Sequence, residues 1–144
     1  MTDRPDTDAL VLRSAQLDRF DRGNGVATFP IMGKWNLAHN TVTSGITAFA
    51  PGTGLPLHTH NVEETVLVIE GLATATIGDE EFELEVGDTT WVPAGVPHRF
   101  RHRGGDLMRI YWVYGGRDVT RTNCLTGETV EHLSERDRGG IRTD

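Results

Sequence analysis

A chain of 144 residues, 37% of them hydrophobic, is long enough to bury one core and too short for two domains. Its net charge of −7 and pI near 5.3 leave no electrostatic footprint for nucleic acid. A single cysteine, Cys124, excludes an internal disulfide, and no apolar run reaches the roughly 18 residues of a membrane helix, so neither a nucleic acid nor a membrane is an expected partner. In chain order, residues 1–9 are polar, lack the apolar core of a signal peptide and read as a tail, which points to the cytoplasm. Ser14 is placed to cap a short helical turn running to Phe20, and Gly23-Asn24-Gly25 ends it. Val26 to Pro30 reads as a strand, 31–36 as a loop, and Thr41 to Ala50 has strand composition. Gly52, Gly54 and Pro56 make a bend, after which Thr65-Val66-Leu67-Val68-Ile69 is a β-branched, buried run closed by a turn at Gly71.

Leu72 to Ile77 is the next expected strand. Beyond a turn at Gly78-Asp79-Glu80, the run Glu81-Phe82-Glu83-Leu84-Glu85-Val86 alternates strictly, with Phe82, Leu84 and Val86 directed to the core. His98 to Arg103 alternates as well, placing His98, Phe100 and His102 on one face and Arg99, Arg101 and Arg103 on the other. Gly104-Gly105-Asp106 is read as a turn, and Leu107 to Tyr114 as a strand apolar on both faces. From Gly115 strand signals fade, Ser134 to Arg138 suggests a helical turn, and 139–144 is read as a polar tail. One domain over 10–138 remains, an all-β antiparallel sandwich or barrel with few short helices.

The chemistry concentrates between Gly52 and Gly71. His58 and His60, two residues apart in a strand, point the same way with Cα atoms about 6.6 Å apart, a span two ligands of one ion can bridge. Glu64, four residues on, adds an anionic oxygen suited to a dication. The spacing Gly52-x5-His58-x-His60-x3-Glu64-x6-Gly71 matches the first motif of the cupin superfamily, and Gly87-x5-Pro93-x-Gly95-x2-His98 matches the second up to its last position, where His102 replaces the usual asparagine. The chain is thus identified as resembling a single-domain cupin. The resemblance implies a double-stranded antiparallel β-helix, the cupin jelly-roll barrel, with His58, His60, Glu64 and His98 meeting inside as metal ligands. It also implies one divalent ion, zinc as first choice with iron, manganese and nickel open, and a homodimer.

His102 stands about 13 Å along the strand from His98, too far for the same ion, and is a candidate for lining the cavity or for acid–base work. His39 is a candidate extra ligand, His132 is expected on the surface, and Cys124 is expected as a packed small hydrophobe. Trp91, Trp112, Phe100, Phe49 and Tyr114 are expected in the core, and the arginine row on a solvated face. Beyond its motifs the chain resembles the small cupins that act as aromatic polyketide cyclases, in size and in the run Thr126-Gly127-Glu128-Thr129-Val130-Glu131-His132. That resemblance implies ring closure of a poly-β-ketone substrate by aldol condensation and dehydration, with an acyl carrier protein or synthase as partner. A cupin dioxygenase or isomerase acting on a small enolisable molecule, and a non-catalytic ligand-binding cupin, are the competing expectations.

Overall fold

The computed structural model describes residues 9–144; the tail expected over 1–9 falls outside them except for Ala9. A 3-10 turn, Ser14–Gln16, precedes twelve strands. They are β1 (Phe20–Gly23), β2 (Val26–Met32), β3 (Thr43–Phe49), β4 (Thr53–Gly54), β5 (His58–His60), β6 (Glu64–Ile77), β7 (Glu80–Leu84), β8 (Thr89–Val92), β9 (His98–Tyr114), β10 (Thr120–Asn123), β11 (Thr129–Glu131) and β12 (Ile141–Arg142). All pairings are antiparallel within one curled sheet, the barrel that the alternating patterns imply. Among the described residues no helix is long and apolar enough to cross a membrane.

Two long strands organise the sheet. β6 and β9 pair from Glu64↔Tyr114 to Ile77↔His98, so the runs expected to stop at Gly71 and at Gly104-Gly105 continue through both positions. The glycines bend the strands without ending them: the ladder slips register between Val68 and Ala73, and Gly71 sits at φ +74°. A Cβ there would stand 2.4 Å from the Leu107 carbonyl oxygen, so only glycine lets the two backbones approach this closely. The inward row of these strands, Val66, Val68, Ala73, Ala75, Phe100, Met108, Ile110 and Trp112, forms the core together with Val26, Phe49 and Leu55.

Three expectations change. β7 lies at the sheet edge, paired only to β6, so Phe82 and Val86 are 41% and 59% exposed and only Leu84 of that row is buried. The alternation located the strand correctly, but no second layer covers its apolar face. Residues 20–23, read as the end of a helical turn, instead form β1 and fold back on β2 through Asn24-Gly25. At the other end, 139–144 is docked. Ile141 and Arg142 pair with Gly54 and Thr53, and the Gly140 amide donates to the Arg22 carbonyl at 2.9 Å.

Candidate metal centre

β5 and β9 meet where His58 is the register partner of His98, and period 2 places His60 on the same inward face as His58. β6 starts beside them with Glu64. The result is three buried histidines whose ligating nitrogens lie within 4.8 Å of one another, close enough to share one ion. Glu64 Oε1 lies 3.1 Å from His98 Nε2, and Glu64 Oε2 lies 3.6 Å from His60 Nε2.

The backbone fixes which nitrogen faces inward. His58 Nδ1 donates to the Pro56 carbonyl at 2.8 Å, His60 Nδ1 to Thr120 at 3.0 Å and His98 Nδ1 to Val96 at 2.9 Å. With Nδ1 protonated and engaged, each Nε2 presents its lone pair to the shared space, the outer-shell arrangement that orients metal-bound imidazoles. His60 Nε2, His98 Nε2 and Glu64 Oε1 are buried without a hydrogen-bond partner, since the 3.1 Å contact between the last two is not aligned as a hydrogen bond. Orphaned buried acceptors are costly, and a cation would satisfy all three at once. The donor set therefore fits a divalent ion.

Electrostatics keep two of the three imidazoles neutral. Burial pushes the His58 imidazole well below its usual value, helped by the Arg121 charge and the neighbouring rings, and it holds His60 at about 3. Both are therefore neutral ligands at physiological pH. Burial alone would raise Glu64, but its contact with His98, with smaller contributions from His60 and Arg121, outweighs it and the carboxyl is held low. Burial disfavours charge on His98 too, yet Glu64 prevails and raises it.

The structure adds a buried ionic cluster that the polar C-terminal sequence did not reveal. Arg121 in β10 is the register partner of His60, and its guanidinium Nε lies 3.1 Å from Asp137 Oδ1. Arg22 also lies 3.1 Å from that oxygen, and it donates to Thr28 Oγ1 at 2.6 Å and to the Asp137 carbonyl at 2.9 Å. His132, expected on the surface, is buried edge-on to Trp112, Tyr114 and His60 at ring-centre distances of 5.2, 5.0 and 6.4 Å. The signal was present but faint: in Val119-x-Arg121 and Val130-x-His132 a valine marks the inward face of each polar partner.

The other candidates lie apart. His102 is half-buried in the β9 bend, its Nε2 donating to the Gly105 carbonyl at 3.0 Å, and it does not line the interior cavity. It shares the inward row of His98 and Phe100, but the strand has run past the core by that point. His39 is exposed in the β2–β3 loop, Cys124 is exposed beside the β10–β11 turn, and Trp91 is exposed with its Nε1 donating to Glu63 at 2.9 Å. Space beside the histidines is scarce: the cavity shared by His58, Glu64, Tyr114 and Arg121 holds about 10 Å³, the room of one water molecule. A cleft of about 720 Å³ opens elsewhere, among Leu17, Phe20, Ile31, Trp35 and Leu133, and His132 borders it.

Barrel and site together define a β-barrel carrying a three-histidine metal site on its inner wall. The chain belongs to the cupin family: the Cupin domain description matches residues 45–114, and an uncharacterized protein of Streptomyces coelicolor is 34% identical over 71 residues, 49% of this chain and 68% of that protein. Quercetin 2,3-dioxygenase of Bacillus subtilis is 34% identical over 125 residues, 85% of this chain and 36% of that enzyme. Oxalate decarboxylase of Bacillus subtilis superposes with a TM-score of 0.71 at 16% identity, over 88% of this chain and 39% of that one, a likeness of fold alone. The chain spans well under half the length of either enzyme.

Proposed function

We propose that this chain is a metal-dependent cupin oxygenase, in which His58, His60, His98 and Glu64 hold one divalent ion and a small enolisable molecule is oxidised by O₂. The observation that carries the reading is the set of three backbone-anchored imidazoles beside Glu64, with the inward nitrogens of His60 and His98 and Glu64 Oε1 orphaned. The similarity to a dioxygenase over 85% of the chain supports it. A bound ion of this kind supplies Lewis-acid activation of an enol oxygen and, if redox-active, a meeting place for substrate and O₂. Manganese and iron suit that task better than zinc, and Mn(II) centres occur in the oxalate decarboxylase of Bacillus subtilis.

The protein's own residues supply the rest. The Pro56, Thr120 and Val96 carbonyls hold the imidazole orientations, Glu64 balances the ion's charge, and Phe100, Ile110 and Trp112 keep the surroundings dry. The substrate provides the electrons and takes up both oxygen atoms, so no external reductant is needed. The cyclase expectation finds no support in the relatives described above.

Oxygen-electrode assays of the manganese- or iron-loaded protein with the β-diketone acetylacetone test the reading. O₂ uptake matched to substrate loss is expected for an enolisable substrate and is abolished in His58→Ala/His60→Ala. No uptake with either metal overturns it.

A further inference from the structure

The two buried arginines are employed differently. Arg22 is fully engaged: Nε donates to Thr28, Nη1 to the Asp137 and Arg138 carbonyls, and Nη2 to the Asp137 carboxylate. Arg121, 6% exposed, has its Nε 3.1 Å from Asp137 Oδ1 in an ion pair, but both that Nε and its Nη1 are buried without a hydrogen-bond acceptor. An orphaned guanidinium N–H costs free energy unless something absent from the chain itself receives it. Both Nη1 and Leu55 Cδ2 would stand 3.7 Å from a Cβ on Gly139, and Leu55 lines the small cavity. Arg121 is the register partner of His60, and it lines the same small cavity as His58, Glu64 and Tyr114. Its charge is felt at all four candidate ligands.

Charge balance gives the same answer. Arg22 and Arg121 cancel Glu64 and Asp137, the four ionisable groups of lasting charge buried in this interior. A divalent ion on neutral imidazoles would leave two positive charges uncompensated in a low-dielectric space, where such an excess is expensive. From these observations we infer that Arg121 is the anion anchor of the site, and that the substrate is a small carboxylate or enolate taking one oxygen to the metal side and presenting negative charge to Arg121 Nη1. As it stands the cavity has room for one water molecule, so a small carboxylate enters only as the barrel opens. Arg22, held by backbone carbonyls, has a structural role and leaves this one to Arg121. The inference rests on the metal reading above and deepens it by naming the substrate class.

The test uses glycolate as the anionic probe and glycolamide as its uncharged counterpart, titrated calorimetrically into manganese-loaded protein whose metal content and melting temperature are measured first. Wild type should bind glycolate about tenfold or more tightly than glycolamide, the weight of a charge-assisted hydrogen bond. Arg121→Gln should lose that preference while keeping its manganese. Arg121→Lys, which retains the charge beside Asp137 but not the second donor, should fall between the two, and it carries the test if Arg121→Gln does not fold. Manganese bound at wild-type level together with an unchanged glycolate preference in both variants overturns the anchor and leaves the metal site standing. Wild-type protein that takes up no manganese or iron overturns the metal reading and the anchor with it.

Discussion

Asp137 offers the sharpest stability experiment. It is 1% exposed, and its carboxylate is shared by two guanidiniums at 3.1 Å each while also accepting the Leu133 amide at 2.8 Å. Burial by itself would raise its pKa, but the Arg121 and Arg22 charges overcome this and hold it far below the usual carboxylate range. Asp137→Asn keeps the volume and removes the charge, leaving two buried cations facing each other. Breaking a buried pair from one side costs about 3–5 kcal/mol, whereas removing an exposed partner, as in Glu70→Gln against Arg109, costs at most about 1 kcal/mol. For a domain of this size that predicts a melting temperature about 10–15 °C lower for Asp137→Asn and almost unchanged for Glu70→Gln. Thermal unfolding at pH 7 measures both. Equal, small losses in the two variants would refute the claim that the cluster is desolvated and that Asp137 holds it together.

Other expectations follow from the same geometry. Gly71→Ala should destabilise the protein by roughly 2 kcal/mol or more, because a Cβ meets the Leu107 carbonyl at a positive φ; a wild-type melt would deny the close approach of β6 and β9. Burial keeps His132 neutral when folded, its pKa pushed well below the usual value, while the unfolded chain takes up a proton below about pH 6.5. Its contribution is therefore complete above that pH and is lost as pH falls, at about 1.4 kcal/mol per pH unit. His132→Phe in chelator-treated protein should flatten the stability slope between pH 6 and 5 by about that amount, and an unchanged slope would place His132 in water. Chelation of the metal-loaded protein should lower the melting temperature in wild type and leave His58→Ala/His60→Ala unmoved, since only the former loses a ligand bound to the native state.

The four candidate ligands were legible because strand period 2 and two glycine-bounded spacings place them without knowledge of the rest of the chain. The same rule puts His102 on that row, yet it lies half-buried in the β9 bend and outside the small cavity, because period gives a face and not the point where the core ends. Gly71 and Gly104-Gly105 read as chain reversals, yet positive-φ bulges let β6 and β9 run on as single bent strands. Phe82 and Val86 show the complementary limit: alternation finds a strand without revealing whether anything packs over it. The C-terminal third was hardest. β10, β11 and the docked tail bury Arg121, His132 and Asp137 by pairing and burial in aromatic surroundings, and a strand whose inward residues are charged leaves little hydrophobic period to read.

Element-resolved metal analysis of protein purified without chelator, beside His58→Ala/His60→Ala, tests the central claim most directly. The account predicts close to one manganese or iron ion per wild-type chain and none in the variant. A folded wild-type chain that holds no metal, or a variant that retains it in full, would contradict the account.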